Sequence, residues 1–155
     1  MAKMVLITGS VRSGKSTYAK KICEGLPGKK LFVATSPVLD DELKLRVEKL
    51  QAQRDPEYWQ TVEEQLSIAD IFNASNHDVI LLDCLHKWVD NLIYKSPGIR
   101  EEDIVPYIQK TLTILDRFKG IVLIETAELG MGTMSNDNRE ETRREKKWRE
   151  FTGIA

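Results

Sequence analysis

The chain has 155 residues, 41% of them hydrophobic, which is enough for one compact core and too little for two ordinary domains. Its 23 Lys and Arg nearly balance 24 Asp and Glu, so no overall field draws it to nucleic acid or an anionic membrane, and a charged ligand must be handled locally. No apolar run approaches the roughly 20 residues that span a bilayer, no signal-peptide pattern opens the chain, and Cys23 and Cys84 lack CxxC spacing or a disulfide framework. A reducing, cytoplasmic setting is expected.

Met4 to Thr8 is a short apolar run ending in Gly9, the pattern of a strand buried on both faces. Helical spacing follows from Lys15 to Gly25. Gly25, Pro27 and Gly28 stop it, and Lys30 to Thr35 predicts a second strand, completing a βαβ unit. After Pro37, Leu39, Leu43, Val47 and Leu50 share one helical face that Pro56 ends. Val62 to Ala74 predicts another helix. Asp78 to Asp83 is a buried strand that ends on a carboxylate, and helices are expected over Leu85 to Tyr94 and Glu101 to Phe118. Ile121 to Thr126 predicts a fourth strand, before the turn Gly130-Met131-Gly132 and a charged helix over Asn138 to Phe151. Short apolar strands alternating with amphipathic helices imply a three-layer α/β fold on a mostly parallel sheet, one domain over residues 1–155.

Between the first strand and first helix lies Gly9-Ser10-Val11-Arg12-Ser13-Gly14-Lys15-Ser16-Thr17, which fits Gly, four residues, Gly-Lys-Ser, the phosphate-binding P-loop. The glycines allow backbone N–H groups to turn toward phosphate oxygens, and the helix N-terminus adds its positive dipole end. Lys15 would bridge β- and γ-phosphate oxygens, and the Ser16 hydroxyl would take one site on Mg²⁺. Asp83, at the C-terminal end of a neighbouring buried strand, is the second metal candidate, directly or through water. Ala34, Thr35 and Ser36 end the second strand at the edge where ligands collect in open parallel sheets. These features predict phosphoryl or nucleotidyl transfer from GTP or ATP without choosing an acceptor.

Several further segments are similar to the bifunctional adenosylcobinamide kinase / adenosylcobinamide-phosphate guanylyltransferase family of cobalamin assembly. They are TGSVRSGKS at Thr8 to Ser16, ATSPVLDDEL at Ala34 to Leu43, Arg54, WQTVEE at Trp59 to Glu64, VILLDCLHKWVDNLIY at Val79 to Tyr94, GMG at Gly130 to Gly132 and WREFTG at Trp148 to Gly153. The resemblance implies a RecA-like P-loop NTPase fold and a homo-oligomer, trimeric in the family. It implies phosphorylation of the aminopropanol hydroxyl of adenosylcobinamide, a corrinoid, then GMP transfer from GTP to that phosphate through a histidine on the helix after the ATS segment. It also puts Arg54 at the nucleotide and Glu63 or Glu64 at a guanine edge.

The stretch corresponding to that histidine reads Arg46-Val47-Glu48-Lys49-Leu50-Gln51, and the chain's two histidines are His77 and His86. Leucine cannot form and release a bond to phosphorus, and Lys49 reads as a solvated helix lysine, so the resemblance carries the kinase step further than guanylyl transfer. Thr133-Met134-Ser135 replaces Ile-Val-Pro after GMG, Ala127 replaces an asparagine, and the family's final strand is not represented. Asp40, Asp41 and Glu128 are candidate acceptor bases. Arg143, Arg144 and Arg149 read as a solvated helix face or as phosphate contacts, and Trp59, Trp88 and Trp148 as core or interface residues. An idle GTP- or ATP-binding paralogue and a small P-loop kinase with another acceptor stay open.

Overall fold

Five runs rich in aliphatic and β-branched residues pair into one sheet in the computed structural model, which describes residues 2–10, 12–36, 48, 52, 54–95 and 100–127. The strands are β1 (Lys3–Gly9), β2 (Lys30–Ala34), β3 (Trp59–Glu63), β4 (Val79–Asp83) and β5 (Ile121–Ala127). The helices are α1 (Lys15–Glu24), α2 (Ile68–Ala74), α3 (Leu85–Lys95) and α4 (Glu101–Arg117). The strand order is β1-β5-β4-β2-β3, and every pairing is parallel.

Alternation along the strands sends side chains to two separate cores. On one face, Ile7, Val79, Leu81 and Leu123 pack with Ala19 and Cys23 of α1. On the other, Leu31, Val33, Ile80, Leu82 and Val122 pack with Phe72, Trp88, Val89, Leu92, Ile104 and Leu115 of α2, α3 and α4. This is the three-layer α/β arrangement expected, with a sheet parallel throughout rather than mostly so.

Three expectations are corrected. The sheet has five strands among the described residues, because Trp59–Glu63 extends along β2 instead of leading into a helix. Its half-polar sequence suits an outer strand with one solvated face. The helix expected from Val62 begins at Ile68. Glu63 therefore closes a strand, and Glu64 Oε1 accepts from the Leu66 and Ser67 N–H groups at 2.8 Å each, shaping the turn into α2. Finally, β1 lies at the sheet edge among the described residues, leaving Met4 and Leu6 50% and 60% exposed rather than buried on both faces.

The helix after Pro37, the Gly130–Gly132 turn, the charged helix over 138–151 and any final strand lie outside the described residues, apart from helical positions at Glu48 and Ala52. Among the described residues no helix is long and apolar enough to cross a membrane. Cys23 and Cys84 are free and buried, and burial pushes their thiols up to about 11 and about 12, so both are protonated at neutral pH.

Candidate active site

Gly9 ends β1 and Lys15 begins α1, so the loop turns at the C-terminal edge of the sheet. Gly14 has φ 85°, a left-handed conformation natural to glycine, and Arg12 holds φ 59°. A Cβ on Gly9 would come 2.9 Å from Ser13 Oγ, so glycine here lets the loop close on itself. Ser13 N–H donates to the Ser10 carbonyl at 3.2 Å, and Tyr18 N–H to the Gly14 carbonyl at 2.9 Å, starting the helix. Lys15 Nζ donates to the Ser10 carbonyl at 2.9 Å, which holds its ammonium across the loop. A cleft of about 700 Å³ opens here, lined by Leu6, Thr8, Gly9, Ser13, Lys15 and Tyr18 among others. Arg12, Ser13, Ser16 and Thr17 are exposed, whereas Val11 lies outside the described residues.

The strand order corrects the expected position of Asp83. β5 lies between β1 and β4, so Asp83 is two strands from the loop strand rather than on its neighbour. The residue on the neighbouring strand is Glu125, and the Ser16 hydroxyl donates to its Oε1 at 2.8 Å. Register aligns Ile7 with Glu125, Glu125 with Asp83, Asp83 with Ala34 and Ala34 with Glu63, forming one row across the sheet. Glu125 was missed because it looks like one polar residue inside an apolar strand. The available signal was period two: Ile121 and Leu123 join the α1-side core, so Glu125 points to the same side. Burial and then the nearby Asp83 push its carboxyl up to about 7, against the Ser16 hydrogen bond and Lys15.

Thr35 has a structural part. It is fully buried, and its hydroxyl donates to the Cys84 carbonyl and accepts from the Cys84 N–H, both at 2.8 Å. Its N–H donates to the Asp83 carbonyl at 2.9 Å, and its own carbonyl accepts from Asn91 Nδ2 at 2.8 Å. With every polar group engaged, Thr35 fixes the strand end, while half-buried Ala34 and exposed Ser36 face outward beside it. Arg54 lies with its guanidinium carbon 3.6 Å from the Phe32 ring centre and 5.8 Å from that of Trp59. It donates to Thr61 Oγ1 at 3.3 Å, and burial lowers its pKa against the opposing effect of Asp83. Trp59 and Trp88 are buried, Trp88 donating through Nε1 to the Leu66 carbonyl at 2.8 Å, so both belong to the core.

His86, near the start of α3, accepts the Ala127 N–H on Nδ1 at 3.0 Å and sets Nε2 3.5 Å from Cys84 Sγ. Since a backbone N–H can only donate, the ring proton is on Nε2. Burial first, then Lys87 and Lys15, push its pKa down to about 4. Between the ordinary value of about 6.5 and about 4, the unfolded chain takes a proton that the native ring refuses. Native stability is therefore lost as pH falls through that window. Glu125 acts oppositely, its contribution being lost as pH rises toward about 7. Comparing chemical denaturation of the wild type and His86→Gln isolates the histidine, and the variant is expected to lose on the order of 2 kcal/mol less between pH 7 and 4. Equal losses would contradict a neutral His86.

The fit to a cation rests on the donors themselves. Ser16, Glu125 and Asp83 supply only oxygens, and Glu125 Oε2 is buried without a hydrogen-bond partner. That hard-donor set suits Mg²⁺, which typically binds one or two carboxylates together with substrate phosphates. Among the described residues no group of three or more His, Cys, Asp and Glu could hold a metal ion.

A P-loop sequence at the C-terminal edge of a parallel sheet, with two carboxylates in register near its end, is an arrangement shared by proteins of many activities. The family model for cobinamide kinase / cobinamide phosphate guanyltransferase matches residues 5–153. The chain belongs to this family. It is 34% identical over 141 residues to the bifunctional adenosylcobalamin biosynthesis protein CobU of Escherichia coli, covering 83% of this chain and 77% of that protein. Identity to the CobU protein of Salmonella typhimurium is 33% over 144 residues, with the same coverages. The CobP protein of Pseudomonas aeruginosa is 29% identical over 136 residues, covering 83% of this chain and 73% of its own. The chain is thus a member of a nucleotide-using kinase and guanylyltransferase family of cobalamin biosynthesis, as the sequence resemblance implies.

Proposed function

We propose that this chain transfers the γ-phosphoryl group of GTP or ATP to the aminopropanol hydroxyl of adenosylcobinamide, and that this kinase step is its principal reaction. The observation that carries the reading is the loop Gly9–Thr17, with Lys15 and the Ser16–Glu125 pair at its end, inside a chain matched by the family along residues 5–153. Loop N–H groups and the α1 N-terminus would hold the phosphates, and Lys15 would offset charge that builds on the transferring group. Mg²⁺ would neutralise β- and γ-oxygens. Ser16, Glu125 and Asp83 are its candidate holders, and positioning supplies most of the rate. Ala34, Ser36, Arg54 and Glu63 complete the proposed nucleotide surface, and the candidate acceptor bases Asp40, Asp41 and Glu128 lie outside the described residues.

Guanylyl transfer through a protein nitrogen requires a free lone pair on that nitrogen. Residues 46–51 contain no histidine. His86 Nδ1 is committed to the Ala127 N–H. His77 bonds Ser75 at 3.0 Å and precedes β4, at the opposite edge of the sheet from the loop. These observations support cobinamide phosphate, rather than GDP-cobinamide, as the product. The reading also takes residues 1–155 as one domain that assembles as a homo-oligomer, which sedimentation would measure.

Incubation with labelled GTP or ATP and cobinamide tests it. Cobinamide phosphate without acid-labile protein-bound GMP is the expected result. Protein-bound GMP together with GDP-cobinamide would restore the second reaction, and nucleotide binding with no turnover would point to an idle paralogue.

A further inference from the structure

Glu125 is 4% exposed near the C-terminal end of the inner strand β5, and one of its carboxylate oxygens has no hydrogen-bond partner. A buried carboxylate oxygen left unpaired is costly, and strands rarely keep one without use. Its other oxygen takes the hydroxyl hydrogen of Ser16, the residue that follows the loop lysine. Asp83 is in register beside it on β4, so a second carboxylate adds negative charge at the same level. An unpaired oxygen, a neighbouring carboxylate and a loop hydroxyl therefore converge where nothing else among the described contacts satisfies Glu125.

We propose that Glu125 is a carboxylate that joins Mg²⁺ to the Ser16 end of the phosphate loop, with Asp83 beside it as the second acid. Its Oε1 takes the Ser16 hydrogen and so leaves the hydroxyl lone pairs to the metal, while Oε2 serves the metal or one of its waters. Asp83, in register with Glu125 on β4, supplies a second carboxylate at the same level. The inference rests on the nucleotide-binding reading above and assigns the metal linkage within it.

The test is equilibrium binding of a fluorescent, non-hydrolysable GTP analogue, with Mg²⁺ and in EDTA. Electron paramagnetic resonance of Mn²⁺ in the nucleotide complex gives a second readout independent of turnover. In the wild type Mg²⁺ tightens binding. Glu125→Gln is expected to lose ~10-fold or more of that tightening, while its affinity in EDTA is kept or rises because a repelling carboxylate is gone. Ser16→Ala should lose the same linkage, and the double variant no more than either alone. Glu125→Asp keeps the charge but shortens the reach, and it gives the same readout if the Gln variant does not fold. Full Mg²⁺ tightening in Glu125→Gln would overturn the assignment. So would wild-type binding indifferent to Mg²⁺. A wild type that binds no analogue even in EDTA fails the nucleotide-binding reading itself, and this inference with it.

Discussion

Lys15→Ala is expected to reduce phosphoryl transfer to cobinamide by roughly a thousandfold, the scale seen when one preorganised charge facing a transition state is removed. The side chain bridges the start and end of the loop through the Ser10 carbonyl, and no other described residue of the loop end carries an ammonium there. Its loss leaves charge on the transferring phosphoryl group without a compensating cation. The fold should be nearly untouched, because Lys15 is half-buried at the first turn of α1, its ammonium bonds a loop carbonyl, and alanine is a good helix former. Turnover with labelled triphosphate and a parallel thermal melt separate the two effects. Wild-type turnover in this variant would remove the loop from the active site.

Asn91→Ala is expected to lower stability by about 3 kcal/mol, since buried acceptors left unsatisfied cost roughly 1–3 kcal/mol each. Asn91 is 3% exposed, and its amide donates to the Thr35 carbonyl at 2.8 Å and the Gln65 carbonyl at 3.2 Å. It thereby ties α3 to the end of β2 and to the turn before α2. In a chain of this size the change corresponds to a melting temperature lowered by roughly 10 °C. Asn91→Asp, of equal size but without the two N–H donors, should be no better. A melting temperature unchanged by Asn91→Ala would show that both carbonyls find other donors.

Much of the fold could be read directly because a doubly covered strand has a simple signature. VILLD over Val79–Asp83 and IVLI over Ile121–Ile124 are continuous apolar runs, and both are central strands. The loop was equally legible, since Gly14 and Lys15 are demanded by backbone shape and phosphate charge rather than by packing. WQTVE was harder to read. An outer strand has a solvated face, and Gln60 and Glu63 obscure a pattern whose apolar members are Trp59 and Val62. Strand order was beyond local reading altogether, because pairing joins residues far apart in the chain. Placing β5 against β1 moved Glu125 to the loop and Asp83 one strand away. Thr35 was assigned from its position at the right edge, but the burial that commits its hydroxyl to Cys84 is a tertiary fact.

The unpaired oxygen of Glu125 also has a consequence for endurance under heat. A fold carrying an unsatisfied buried acceptor is less stable than its core alone would make it. Whatever satisfies that acceptor stabilises the native chain without binding the unfolded one, so ligand occupancy and melting become linked. Resistance to unfolding would then be set partly by supply of the cation and nucleotide, and the loaded protein would outlast the bare chain under proteolysis as well as under heat.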